Sequence, residues 1–147
     1  MGPPDVEPIG LQLTRTAKLV GRAFDAALGE VGGSVPMWLI LVSLKARHHG
    51  AQRDVAEAVG IEGPTLTHHL NRMEKAGLVT RTRDPENRRV HRVELTEAGE
   101  AAFRHQLSAV ADFDRQLRAN FTAKELDALG QALLRLRTNA TGGDTAA

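Results

Sequence analysis

Apolar residues recur every three or four positions from Ile9 onward, at Ile9, Leu13, Ala17, Val20, Phe24, Ala27 and Val31. That is the period of an amphipathic helix, with Arg15, Lys18, Arg22 and Asp25 on its other face. Gly32 and Gly33 end the pattern, Ser34 offers an N-cap, and Pro36 fits the first turn of a second helix. The run MWLILVSL in that helix is apolar all round, which predicts burial on every side. Farther on, Thr96 caps a long helix carrying Phe103, Leu107, Val110, Phe113 and Leu117. Thr122 with Glu125 makes a capping box for a last helix carrying Leu126, Leu129, Leu133 and Leu136 in a 3-4-3 spacing. Residues 1–8, with three prolines and two acids, predict a flexible arm, and residues 138–147 (TNATGGDTAA) a flexible tail.

Between these parts, after Gly50, residues 52–95 carry two short helical patterns and two strand-like runs. The first helix spans about 52–59 with Val55, Ala56 and Val59 inward. Ala56 allows close helix approach, and Gly60 supplies the left-handed turn. The second begins near Gly63, has Pro64 in its first turn, and turns Leu66, Leu70 and Met73 inward. Its opposite face presents Pro64, Thr65, His68, Asn71 and Arg72, with Thr67 at the edge and His69 half-buried among the leucines. Threonine, histidine and arginine can read base edges or hold phosphates, and Thr65, His68 and Arg72 lead the candidates. Runs 78–83 and 89–95 flank DPENR, a turn-rich segment that places Arg88 and Arg89 at the tip of a hairpin. Arginines projecting there suit a phosphate or a narrow minor groove. The order is a helix-turn-helix with a basic wing, a shape used to grip duplex DNA.

Composition narrows the reading. The chain has 147 residues and 41% hydrophobic content, enough for one domain with a real core. No run reaches the length of a membrane span, and MGPPDVEPIG lacks a basic-then-apolar leader, which predicts a cytoplasmic, nucleoid-associated protein. The absence of cysteine removes disulfides, thiolate metal sites and thiol chemistry. A net charge of +1 is uninformative, but from Gly63 to Arg92 seven basic residues (Arg72, Lys75, Arg81, Arg83, Arg88, Arg89, Arg92) face three acids (Glu74, Asp84, Glu86). A local excess of four positive charges over a DNA-sized footprint suits phosphate binding. No Gly-rich phosphate loop, nucleophile turn or paired carboxylates point to an enzyme, and no cofactor is expected. The histidines, among them His48, His49 and His105, have no i, i+4 pair, so no metal site is expected, with a metal-responsive regulator as the alternative. A second alternative is a protein-interaction module on the same winged fold, without sequence-specific DNA binding.

The ordered runs SVPMWLIL, GIEGPTLTHHLNRMEKAGLVTR and DPENRRVHRVELTEAG resemble the MarR family of bacterial transcriptional regulators, and most nearly its SlyA-like branch, over about residues 9–136. The expected fold is mainly α, a winged helix-turn-helix at 35–96, with helices at 9–34 and 97–137 forming a dimerisation region. The resemblance implies a homodimer on double-stranded DNA at a pseudo-palindromic operator, acting as a repressor and released by a small aromatic or lipophilic ligand. The family's reading positions fall on Pro64, Thr65, His68 and Arg72, and its wing arginine on Arg89. Asn87 stands where the family carries an aspartate that orients the wing, leaving Asp84 or Glu86 to substitute. Ala51 replaces the usual polar cap of the first motif helix. For a ligand, Arg15 and Lys18 would meet an anion with Trp38 as an apolar wall; as ordinary packing, Trp38 is simply core and Arg15 solvated.

Overall fold

The computed structural model describes residues 2, 3, 5–47 and 49–143. His48, placed by the sequence at the end of the second helix, lies outside them, as do Met1 and Pro4 of the arm and the last four residues of the tail. Six helices and a small sheet follow in the order α1 (Ile9–Gly29), α2 (Val35–Arg47), β1 (His49–Ala51), α3 (Gln52–Val59), α4 (Gly63–Lys75), β2 (Val79–Arg83), β3 (His91–Leu95), α5 (Glu97–Arg118) and α6 (Ala123–Ala140). The expected mainly helical, winged helix-turn-helix class is therefore observed. The chain divides into two compact units, residues 1–111 and 112–147.

In the first unit, α2, α3 and α4 close over one face of the sheet. Ile40, Leu41 and Leu44 of α2 join Val55, Leu66, Leu70, Met73, Val79 and Val93 in one buried cluster. Burying a leucine in such a cluster contributes roughly 1.5–3 kcal/mol, so these side chains fix the direction in which α4 turns its other face outward. Gly60 adopts φ +69° and its N–H returns to the Ala56 carbonyl at 3.0 Å, which makes the tight α3–α4 corner. Ala51, lacking a capping side chain, is held instead by strand pairing with Arg92.

Several elements differ from the sequence reading. Strand β1 was not expected; three residues are too few to show alternation, yet Gly50 pairs with Val93 and makes β3 the central strand, in the order β1-β3-β2. Strand β2 begins at Val79 rather than Leu78, because the Leu78 N–H is drawn back to the Met73 carbonyl in the turn that ends α4. Strand β3 begins at His91 because the Val90 N–H closes the wing turn onto the Asn87 carbonyl. Helix α1 stops at Gly29, where the Gly33 N–H bonds the Leu28 carbonyl at 2.8 Å. Helix α2 is not buried on every side: Leu39 and Val42 remain 39% and 38% exposed. The stripe through Ile40, Leu41 and Leu44, with Met37 packed beside it, meets the core, while Leu39 and Val42 stay open.

The caps agree with the sequence. The Met37 N–H donates to Ser34 Oγ, and the Gly99 N–H to Thr96 Oγ1. In the second unit the end of α5 leads through Asn120, at φ +65°, into α6. There the Glu125 N–H donates to Thr122 Oγ1 while the Thr122 N–H donates to Glu125 Oε1, a complete capping box. After Gly130 no glycine or proline occurs before Gly142, and the helix runs through Ala140 into the segment expected as tail. None of the described α6 side chains is buried.

Candidate nucleic-acid interface

Helix α4 is amphipathic, and the inward pull of Leu66, Leu70 and Met73 leaves Pro64, Thr65, His68, Asn71, Arg72 and Lys75 exposed. The leading sequence candidates thus share one outer surface. Thr67 is placed differently. Its hydroxyl accepts a hydrogen bond from Gln52 Nε2 at 2.8 Å and donates to the Gly63 carbonyl at 3.0 Å. It braces α3 against α4, and its only proton is spent within the fold. His69 is half-buried, as its position beside the leucines implies.

The wing is ordered by short polar contacts. Asp84 Oδ2 accepts from Arg92 Nε at 2.8 Å, and Asp84 Oδ1 accepts from the Glu86 N–H at 2.8 Å. Asn87 Oδ1 accepts from the Arg89 N–H at 3.2 Å, a neutral turn contact to the backbone. Of the two acids open as substitutes, Asp84 is the one that organises the loop, and its partner is Arg92 rather than Arg89. The Arg88 and Arg89 side chains lie exposed at the tip, and among the described residues neither enters an ion pair. An open groove of about 760 Å³ runs between α3, the start of α4 and the wing, lined by Gln52, Arg53, Thr67, Asn87 and Arg89 among others.

Two basic residues in the local charge excess are structural. Arg81 is largely covered and reaches Glu74 Oε1 at 3.1 Å and Asn71 Oδ1, tying β2 to α4. Arg92 is tied to Asp84. Each pair removes one charge of either sign, so the excess of four stands and is carried by exposed side chains. Alternation from buried Val79 placed Arg81 on the covered face of β2; that was the signal for its internal role, and the sequence reading passed over it.

The paired carboxylates feel these cations. The hydrogen bond from Arg81 holds Glu74 below its ordinary value of 4.5, and the Glu86 N–H followed by Arg92 holds Asp84 below 3.8. A carboxyl whose pKa is depressed by folding stabilises the fold above its unfolded value and loses that contribution as pH falls through the folded value. We therefore expect Asp84→Asn to be less stable than wild type near neutrality, and the difference to shrink as pH drops below about 4. Thermal unfolding of both proteins between pH 7 and pH 3 checks this; a difference constant with pH would contradict it.

Trp38 stacks on Phe103 with ring centroids 5.6 Å apart and planes 8° from parallel. Lys45 Nζ lies 5.7 Å from the Phe103 centroid and pairs with Glu100 at 2.6 Å. Together with Val42, Ala46 and Leu107 they line a shallow, mostly apolar cleft of about 350 Å³. Arg15 pairs with Glu7 at 2.5 Å and Lys18 is exposed on α1; neither lines the cleft. The cation that lies over Trp38's stacking partner is Lys45 of α2. Among the described residues no group of three or more metal-ligating side chains stands close enough to hold an ion. No described helix is long and apolar enough to cross a membrane.

Comparison with known proteins follows the same geometry. Residues 34–91, from the cap of α2 to the start of β3, match the MarR family. An uncharacterized HTH-type transcriptional regulator of Bacillus subtilis, YdgJ, is 29% identical over 131 residues, covering 87% of this chain and 76% of its own. The crystal structure of a probable transcriptional regulator from Pseudomonas aeruginosa superposes with a TM-score of 0.78 at 27% identity, covering 88% of this chain and 97% of that one. A transcriptional repressor, CouR, bound to a 23-mer DNA duplex, superposes with a TM-score of 0.81 at 28% identity, covering 89% and 93%. The matched stretch holds the helix-turn-helix, β2 and the helix preceding them, and over it the chain is similar to the MarR family of transcriptional regulators.

Proposed function

We propose that this protein is a sequence-specific, double-stranded-DNA-binding repressor of the SlyA-like branch, acting as a homodimer on a pseudo-palindromic operator in the cytoplasm. The observation that carries the reading is the outer surface of α4. Pro64, Thr65, His68 and Arg72 are exposed together there, and the fold also leaves Arg88 and Arg89 uncommitted at the wing tip. A helix of this kind enters the major groove while the wing reaches the adjoining backbone or minor groove. The likeness to CouR, a repressor bound to duplex DNA, supports the same reading.

The dimer is supported by what one chain leaves uncovered. Ile9, Leu11, Leu13 and Leu19 of α1 are between 38% and 62% exposed. Large apolar side chains left that exposed are costly in water, and a second copy across a twofold axis covers them economically. We assign α1, α5 and α6 to that contact. The apolar cleft beside Trp38 and Phe103, with the Lys45 ammonium at its rim, suits a small aromatic acid as the releasing ligand.

His68 sits at the centre of the exposed face, so His68→Ala should lower operator affinity by roughly tenfold and flatten preference at one half-site position, the scale of a lost base contact. Fluorescence anisotropy with an operator duplex and its single-base variants measures both. Wild-type preference in the variant would remove His68 from the readers, and absence of any sequence preference in the wild type would overturn the function itself.

A further inference from the structure

Asn71 stands on the shoulder of α4 nearest the wing, one turn from His68 on one side and from Lys75 on the other, and it is exposed. Its carbonyl oxygen is already engaged: Arg81 of β2 donates one Nη2–H bond to Asn71 Oδ1 while the same guanidinium pairs with Glu74. A guanidinium only donates, so the amide must turn its oxygen toward Arg81 and its NH₂ away from it. An oxygen bonded to a cation is also a weaker partner for any further donor. Arg81 is anchored in turn, because its side chain is only 17% exposed and Glu74 grips it through both carboxylate oxygens.

We propose that Asn71 is a specificity-determining contact of the DNA-binding surface, and that Arg81 is the positioning residue that makes it a donor. The inference rests on the proposed DNA-binding function. The adenine pairing of asparagine needs the amide to accept and donate at once. Asn71 with its oxygen engaged is steered away from that pairing and toward acceptors: guanine O6 and N7, thymine O4 or a phosphate oxygen. The Glu74–Arg81–Asn71 chain thereby makes the wing strand part of the reading helix's chemistry, since β2 sets the polarity of a group on α4.

The test compares wild type, Asn71→Ala, Arg81→Lys and the double variant on an operator duplex, its single-base variants and a salt series. Lysine retains a cation for Glu74 but loses the planar fork in which Nε anchors on Glu74 while Nη2 reaches Asn71, so the fixed hold on the amide is lost. Asn71→Ala, at an exposed helical site where alanine is favourable, should bind about tenfold more weakly. With the acceptor on a base edge, preference at one half-site position flattens; a uniform loss on all sequences, with the salt slope unchanged because a neutral amide releases no counterion, would make it a phosphate contact and overturn the specificity role. Arg81→Lys should unfold near the wild-type temperature yet show the same change in preference, and the double variant should bind no more weakly than Asn71→Ala. Asn71→Ala binding within twofold of wild type would overturn the contact. Losses that multiply in the double variant would overturn the positioning role. Wild-type protein without sequence preference would overturn the underlying function as well, and so is distinguishable from both.

Discussion

Gly99→Ala is expected to cost about 3 kcal/mol of folding stability, the upper end of the usual penalty for overpacking a tight site. Gly99 lies buried in the first turn of α5. A Cβ there would stand 2.1 Å from the Leu78 carbonyl oxygen and 3.0 Å from a Leu95 methyl. The carbonyl cannot easily retreat, because it accepts the Thr96 N–H at 3.0 Å. Thr96 itself is fixed by donating its hydroxyl to the Gly77 carbonyl and accepting the Gly99 N–H. One added methyl therefore strains the junction of the α4 turn, the wing and α5 together. Urea unfolding of the variant measures the loss. A change below about 0.5 kcal/mol, the ordinary range for an inconsequential surface site, would mean that the junction yields where its hydrogen bonds say it should not.

The second large effect is expected at the wing. Arg88→Ala with Arg89→Ala should weaken binding to every duplex sequence, by about tenfold for each lost charged contact. It should leave the order of preferred sequences nearly unchanged. If both side chains meet phosphates, the slope of log affinity against log salt should fall by about 0.9 for each, close to 2 together. The wing turn should survive, because it is closed by Asp84, Asn87 and backbone groups rather than by either arginine side chain. Titrations of one duplex at several salt concentrations test this. An unchanged salt slope would count against any wing contact; an altered base preference with an unchanged slope would place the pair in a groove as readers.

Much of this architecture is legible in the sequence, and the reasons are local. Residue patterns of period 3.6 marked the helices, and Ser34, Thr96 and the Thr122–Glu125 box marked where three of them begin, because caps are short-range contacts. Gly60 marked the corner of the motif because few other residues take its backbone angle. What escaped was set by contacts distant in sequence. Strand β1 exists because β3 pairs with it, and a run as short as His49–Ala51 has no pattern of its own. The apolar run in α2 implied full burial, but hydrophobicity does not say how many neighbours a helix has, and Leu39 and Val42 lack them within one chain.

The DNA-facing residues were legible by the same logic on α4, where the buried stripe defines its opposite. Thr67 was harder, since its hydroxyl is engaged both by the Gly63 carbonyl one turn back and by Gln52, fifteen residues away. Counting charges found the basic surface but could not sort it. Arg81 and Arg92 look like Arg88 and Arg89 in the sequence, yet the first two close the fold onto Glu74 and Asp84 while the others stay exposed at the tip.

The central claim is that one face of α4 reads DNA sequence in a twofold assembly. Selection from a random duplex pool with the purified protein, repeated at low and near-physiological salt, tests it most directly. The account predicts recovery of a palindromic sequence whose half-sites lie about one helical turn apart, with the same sequence winning at both salt concentrations. Retention of unrelated sequences that disappears as salt rises would contradict it, leaving the basic surface as a nonspecific polyanion contact.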